Sequence, residues 1–127
     1  SGNANSEAAF EQANLALAYM MVGQIDLADK TIHAALPITE AAFGKLNLDR
    51  AFELDVLGEV LETEQKYQDA EQAFKESVSI NEAIYGPNHE YVGSALTYLE
   101  GLYDAMGDQK KKEAVEQRIA KLRGTDL

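Results

Sequence analysis

The sequence repeats itself with a period of 42 residues, and no other feature constrains the fold as strongly. A shift of 42 positions places Ala28 on Ala70 and Gly44 on Gly86, and the 127 residues hold about three such units. A fixed period of roughly 20 to 50 residues is typical of chains that stack copies of one small supersecondary unit. The same shift aligns Leu15 with Leu57 and Leu99, Tyr19 with Leu61 and Tyr103, and Phe43 with Tyr85.

The apolar residues of each unit follow helical spacing twice. In the second unit Leu57 and Leu61 lie four positions apart, and Ala70 and Phe74 do so after a polar break at 64–66. This spacing is typical of the buried stripe of an amphipathic helix. No segment alternates with period two for long enough to form a strand. We therefore predict an all-α protein with six antiparallel helices, at about 6–21, 26–42, 49–63, 67–84, 90–105 and 109–122.

Capping residues support these helix boundaries. We predict that Asn5 or Ser6 caps the first helix and Asp26 the second, because a short side-chain oxygen accepts a hydrogen bond from an early free N–H group. Gly86 follows the fourth helix, and its counterpart one unit earlier follows the second, where a left-handed residue is easily accommodated by glycine. We expect His89 to cap or pack at the turn before the fifth helix.

Three segments depart from the regular pattern. Pro37 lies within the second predicted helix, where it removes a hydrogen bond, so we expect a kink or an early end of that helix. Residues 1–6 are small and polar, and we interpret them as a linker or the remnant of an expression tag. In the last helix, a shift of the repeat register by two or three residues would bring one apolar face together, formed by Ala114, Val115, Ile119 and Leu122.

The composition argues against several classes of function. The net charge is −11, and such an acidic chain repels phosphate backbones, so we expect no nucleic-acid partner. The absence of Cys excludes disulfides, thiolate-bound metals and thiol nucleophiles. The apolar stretches are too short for membrane insertion. No phosphate-binding, zinc-helix or serine-hydrolase motif is present, so we expect no catalytic residue, no cofactor and no metal.

The basic residues are concentrated near the end of the sequence. Residues 110–123 carry a net charge of +4, whereas residues 1–109 carry −14. Two explanations remain open at this point. Cations stabilise the C-terminal end of a helix through its macrodipole; alternatively, the basic segment docks on an acidic surface of a second copy or of a partner.

The repeated pattern resembles the tetratricopeptide repeat (TPR). Its 42-residue period is similar to the long variant found in kinesin light chains, including a Gly-x-x-His turn at Gly86 and His89. The resemblance implies three helical hairpins stacked in a short right-handed α-solenoid, within a domain at 7–127 whose repeats span about 7–48, 49–89 and 90–123. It is carried in the second unit by Leu54, Leu57, Gly58, Leu61, Tyr67, Ala70, Phe74 and Ser77.

The resemblance also implies a concave groove lined by the first helix of each repeat. In the long-variant family an Asn at the column of Asn14 bonds the backbone of a bound peptide, and only Asn14 carries that role over here. The predicted binding residues are Phe10, Asn14, Leu17, Met20, Met21, Phe52, Asp55, Val56, Glu59, Glu62, Thr97 and Tyr98.

Simpler interpretations of these residues remain open. Phe10, Leu17 and the two methionines could be ordinary core residues that pack on a neighbouring helix. The carboxylates of Asp55 and Glu59, and that of Glu62, could be ordinary solvated surface charge.

We therefore predict a non-catalytic protein-interaction scaffold that binds a peptide or helix of a partner protein in its concave groove. Apolar groove residues beside carboxylates favour a basic partner with aromatic or aliphatic anchors. The alternative is a structural module that self-assembles into homo-oligomers, with repeats that stack on copies of themselves or on further repeats of a longer chain.

Overall fold

In a computed structural model that describes residues 2–124, with side chains from residue 5 onward, the described residues form helices joined by short turns and contain no strand. The predicted all-α class and the six helices are confirmed. The helices are α1 (Gly2–Met21), α2 (Ile25–Phe43), α3 (Leu48–Thr63), α4 (Tyr67–Tyr85), α5 (Glu90–Met106) and α6 (Gln109–Leu122).

The helix boundaries recur with the 42-residue period of the sequence. The second helix of each hairpin begins at residue 25, 67 or 109, and α3 and α5 begin at 48 and 90. Each hairpin turn contains one left-handed residue, at Gly23, Gln65 and Gly107, with φ of 83°, 62° and 72°. Glycine adopts this conformation without strain, whereas Gln65 carries a Cβ into it.

The turns between hairpins share one capping design. Gly44 and Gly86 follow α2 and α4 with φ of 78° and 91°. Three residues later a side chain caps the next helix: Asn47 Oδ1 accepts from Arg50 N at 2.8 Å, and His89 Nδ1 accepts from the amide N of residue 91 at 3.1 Å. The predicted capping role of His89 is confirmed.

The predicted caps of the first two helices are wrong. Helix α1 begins at Gly2 rather than near residue 6, so Asn5 and Ser6 lie inside it and the helix includes most of the predicted linker. Ser1 and residues 125–127 lie outside the described residues. Helix α2 is preceded by Gln24, whose side chain makes no capping hydrogen bond; Asp26 lies in the first turn instead, where a carboxylate stabilises the helix through its dipole.

Two further expectations need correction. Helix α2 does not end early at Pro37 but continues to Phe43, because buried residues on both sides of the proline keep the helix packed. Helix α6 buries Ile119 and Ala120 in the columns of Ser77 and Val78, so it keeps the register of the earlier units. Val115 and Leu122 pack on the same core as predicted, whereas Ala114 is exposed.

The hairpins stack so that the odd-numbered helices lie side by side. The backbone of α3 approaches those of α1 and α5, whereas, within residues 2–124, the backbones of α2, α4 and α6 do not approach one another. Helices that are close on one side and separated on the other form a curved stack. The odd-numbered helices therefore line the concave side, as TPR geometry implies.

The core of the second hairpin depends on a close approach between α3 and α4. A Cβ placed on Gly58 would overlap the ring of Phe74, which is completely buried. In the first hairpin the same two columns hold Ala16 and Ile32, both completely buried. Thus the second hairpin has the smaller residue of the two hairpins on its first helix, Gly58, and the larger one on its second helix, Phe74. Ala70, which the sequence predicted to be buried, is fully enclosed in the same core.

A buried polar group joins the first hairpin to the second. The guanidinium of Arg50 bonds Glu40 at 2.8 Å and Glu76 at 2.6 Å. One turn further along α3, Glu53 is completely buried, and its Oε2 accepts a 2.6 Å hydrogen bond from the hydroxyl of Thr39. The other oxygen, Oε1, has no partner within the described part of the chain. Burial is the main cause that raises the pKa of Glu53 to about 7.

Intramolecular ion pairs account for half of the basic residues at the end of the chain. They attach α6 to α4 and α5, so these cations bind acidic residues of their own chain. The pairs are Lys111–Glu71 at 3.2 Å, Lys112–Asp104 at 2.9 Å and Arg118–Glu82 at 2.9 Å.

Candidate functional site

The concave side begins with an apolar region on α1 and α3. The rings of Phe10 and Phe52 lie 5.7 Å apart in a tilted arrangement, and Phe10 is 41% exposed. Met21 is 79% exposed. Met20 is partly buried, and Leu17 packs against the core between the two helices. The packing interpretation thus describes Leu17, while Phe10 and Met21 offer free apolar surface.

An acidic region follows on α3. The side chains of Asp55, Glu59 and Glu62 are partly buried, not fully solvated as their position alone suggested. Burial raises the pKa of all three, that of Asp55 to about 7, and the charge of Glu62 adds to the effect on Glu59. These carboxylates have therefore lost part of their hydration, which strengthens their attraction for a cation that contacts them.

Tyr98 of α5 covers the edge of this acidic region. Its ring stacks on the buried ring of Phe74 with centroids 5.4 Å apart. Burial, followed by the charges of Glu59 and Asp55, raises the pKa of the Tyr98 hydroxyl. The neighbouring Thr97 is exposed, and its hydroxyl donates to the backbone carbonyl of residue 93 at 3.0 Å. Tyr98 is thus held by the core from below and borders the carboxylates on the surface.

The column of Asn14 has a different environment in each repeat. Asn14 is exposed, and its Nδ2 donates to the carbonyl of Phe10 at 3.3 Å. Val56, predicted to line the groove, is instead 2% exposed and packs between α1, α2 and α3. Its burial follows from the stacking of the first hairpin on α3. Val56 is therefore core, and Asn14 and Tyr98 are the accessible members of the column.

Two polar atoms beside the acidic region have no hydrogen-bond partner within the described residues. They are Asp55 Oδ1 and Ser77 Oγ, both buried. The Ser77 hydroxyl is nevertheless close enough to moderate the pKa of Asp55. The first hairpin has Ala13 and Ala35 in these two columns, both fully buried. The second repeat has thus placed polar groups where the first has methyl groups.

A pocket that sequence reasoning missed lies where the turn between α2 and α3 faces the start of α1. It has a volume of about 460 Å³ and is lined by Ser6, Glu7, Phe10, Glu11, Phe43 and Asp49. Through Phe10 it is continuous with the apolar region. The available signal was the alignment of columns 43 and 49 with the aromatic residues Tyr85 and Tyr91.

Comparison with known proteins agrees with the repeat architecture. A family model described as the tetratricopeptide repeat matches residues 6–83 and, in a second placement, residues 50–118. No curated protein shows significant similarity to the chain. Among the described residues, none of the six helices combines the length and hydropathy required to cross a membrane.

Proposed function

The chain belongs to the tetratricopeptide repeat family, and we propose that its concave side binds a basic peptide or helix of a partner protein. TPR domains are in general protein-interaction scaffolds. The observation that carries the specific proposal is the charge of the three odd-numbered helices. They contain ten carboxylates and a single basic residue, Arg50, which is buried and paired.

The two regions of the concave side have complementary tasks. Phe10 and Phe52 supply aromatic surface for an apolar anchor, and the exposed Met21 adapts to its shape. The carboxylates of Glu59 and Glu62 attract Lys or Arg, which increases the rate of association and makes it depend on salt. Because exposed charges are screened beyond about 8 Å at physiological ionic strength, association should slow as salt is added.

A selection from a displayed library of random 12-residue peptides on the purified protein tests this proposal. Enriched peptides should combine Lys or Arg with aromatic or aliphatic residues. The double substitution Glu59→Lys with Glu62→Lys should weaken the binding of an enriched peptide by about tenfold or more, on the basis of the energies of close charge pairs.

A matched control separates local contacts from net charge. Asp69→Lys with Glu113→Lys makes the same change in charge at exposed sites on α4 and α6, and it should leave affinity nearly unchanged. Circular dichroism must show that both variants remain helical. Full-strength binding after reversal of Glu59 and Glu62 would eliminate the acidic groove as the binding surface.

A second candidate function, structural assembly, is favoured by one edge of α1. Ala8, Glu11, Leu15 and Ala18 form an exposed stripe along it, which continues to Val22 in the following turn. We call these five residues the α1 edge stripe. The counterparts of the first four residues, 42 and 84 positions later, are buried or partly buried against the preceding hairpin. The stripe thus repeats a face that both later repeats use for stacking.

We propose that a hairpin of a second copy covers the α1 edge stripe when the protein assembles. Leu15→Asp should then abolish concentration-dependent association measured by sedimentation equilibrium, because a carboxylate at the centre of an apolar contact is costly. Leu46→Asp, at an exposed turn residue outside the stripe, is the control. A protein that stays monomeric at high concentration would rule out this second function.

A further inference from the structure

In the turn between the second and third hairpins, neighbouring rings of the same chain cover the aromatic ring of Tyr85. The ring of His89 stacks on Tyr85 with centroids 4.7 Å apart and an interplanar angle of 24°. Tyr91 meets Tyr85 edge-on at 5.0 Å. The face of Tyr85 is therefore occupied by a planar nitrogen-containing ring from the same chain.

The equivalent turn between the first and second hairpins leaves this surface open. Its residues in the same columns are Phe43, Asn47 and Asp49. Asn47 turns its amide to the carbonyl of Gly44 at 2.7 Å. No aromatic ring within residues 5–124 stacks on Phe43, which is 49% exposed. A hydrophobic ring thus lacks the planar partner that its counterpart has.

Carboxylates surround the open ring. Glu7, Glu11 and Asp49 line the same pocket as Phe10 and Phe43, and no basic residue lines it. The cations nearest in the sequence do not line the pocket: Arg50 is held by Glu40 and Glu76, and the exposed Lys45 lies in the turn outside the lining. The lining of the pocket therefore combines aromatic surface with negative charge.

We propose that this pocket binds the guanidinium group of an arginine side chain from the partner protein. Guanidinium is planar, stacks on aromatic faces and pairs with carboxylates through two parallel hydrogen bonds. It would take the place over Phe43 that the imidazole of His89 takes over Tyr85. A lysine ammonium is compact, strongly hydrated and not planar, so it lacks the stacking contribution.

The proposal rests on the proposed function and assigns the partner's arginine a defined position. Phe10 belongs both to the pocket and to the aromatic pair with Phe52. An arginine seated in the pocket would therefore lie next to the apolar anchor of the same partner segment.

The test is an NMR titration of the whole chain with N-acetyl-arginine N-methylamide. Amide and aromatic shifts should be confined to the segments at 6–11 and 43–49. The neutral isostere, N-acetyl-citrulline N-methylamide, should bind about tenfold more weakly, and the corresponding lysine derivative several-fold more weakly, because cation–aromatic and ion-pair contributions are reduced.

Three variants locate the binding groups, and a fourth serves as a control. Phe43→Leu keeps an apolar side chain but removes the aromatic face, and Asp49→Asn removes one carboxylate; each should weaken arginine binding several-fold. The pair Asn47→His with Asp49→Tyr copies the closed second turn and should abolish the binding. Asp69→Asn with Glu113→Gln, which removes two carboxylates at exposed sites on α4 and α6, should not affect it.

The outcomes separate this inference from the proposed function. Shifts spread over the whole acidic surface, equal binding of the citrulline derivative, or unchanged binding in the closed-turn variant would each overturn the arginine pocket. Peptides that still bind the groove in those circumstances would leave the proposed function intact. Specific arginine binding with no peptide recognition at Glu59 and Glu62 would support the arginine pocket and overturn the proposed function.

Discussion

The first and second hairpins place their helices and turns at equivalent positions of the repeat but differ in the side chains that pack between the helices. Ala16 and Ile32 pack in the first hairpin where the second has Gly58 and Phe74. The same left-handed turn position is glycine in the first and Gln65 in the second. The comparison shows that turn positions and apolar spacing fix the repeated backbone. Within each unit, the size of a side chain on the first helix is matched to the size of its contact on the second helix.

The two junctions between hairpins differ in the same way. Where the first hairpin meets the second, α3 contributes the buried Arg50 and Glu53. Where the second meets the third, α5 contributes Val92 and Ala95 in the same columns, both buried. One junction is therefore closed by a polar network and the other by apolar contact.

The largest effect should come from Arg50→Ala, which breaks the polar junction. The substitution leaves Glu40 and Glu76 without their cation and Glu53 buried beside them, so we expect a loss of about 3 kcal/mol in the free energy of unfolding. Urea denaturation measures it. Arg118→Ala, which removes a half-exposed ion pair with Glu82, should cost less than about 1 kcal/mol. Equal losses in the two variants would mean that the buried network of Arg50 contributes no more stability than a half-exposed ion pair.

The next largest loss in the free energy of unfolding should come from Gly58→Ala. The added methyl group overlaps the ring of Phe74, and overpacking of a filled core costs about 2 kcal/mol. The double substitution Gly58→Ala with Phe74→Ile reproduces the pair found in the first hairpin and should be more stable than Gly58→Ala alone. A double variant less stable than the single one would show that the two pairs are not interchangeable.

The polar junction should also make stability depend on pH. The pKa of Glu53 is about 7 in the folded protein and is ordinarily near 4.5, so folding favours the protonated form. The stability it contributes is complete below pH 4.5 and is lost as pH rises through 7. We expect Glu53 alone to lower the free energy of unfolding by about 2 kcal/mol between pH 5 and pH 8.

Glu53→Gln provides the control for that pH dependence. The variant should show a smaller decrease, with the remainder due to Asp55, whose pKa is also about 7. An identical pH profile for the two proteins would mean that Glu53 does not change its protonation on unfolding.

The smallest effect, and a stabilising one, should come from Gln65→Gly. It gives the second hairpin the turn residue of the first and relieves the strain of a Cβ at positive φ. Part of the gain is offset by the greater freedom of glycine in the unfolded chain, so we expect about 0.5 kcal/mol by thermal unfolding. Gly23→Ala should lower stability by about 1 kcal/mol. A destabilised Gln65→Gly protein would show that the glutamine side chain has a compensating contact.

The sequence predicted the fold well because the signals that set it are local and repeated. The start of α4 at Tyr67 follows from the apolar period and the polar break before it. The start of α1 was misplaced because Asn5 and Ser6 have the chemistry of caps, while helix continuation also depends on the residues before them. The early end expected for α2 at Pro37 does not occur, because local propensity yields to packing when buried residues lie before and after the proline.

The candidate site was less accessible to sequence reasoning. Whether Asp55 and Glu59 are solvated depends on how closely α5 approaches α3, and Val56 is buried because the first hairpin stacks on it. Neither distance is encoded in helical periodicity. The pocket at Phe43 required a further comparison, since a missing aromatic partner is visible only when the two turns are aligned.

Equivalent turns recur at a spacing of 42 residues, and this regular spacing has a consequence for how such a chain can evolve. Because α3 and α5 begin 42 residues apart and follow turns of the same form, a gene segment that encodes one unit could be duplicated or deleted in frame without disturbing the backbone that follows. The side chains limit this freedom. Deletion of the second unit would place Thr39 opposite Ala95 instead of Glu53, so recombination can change the number of hairpins more easily than their order.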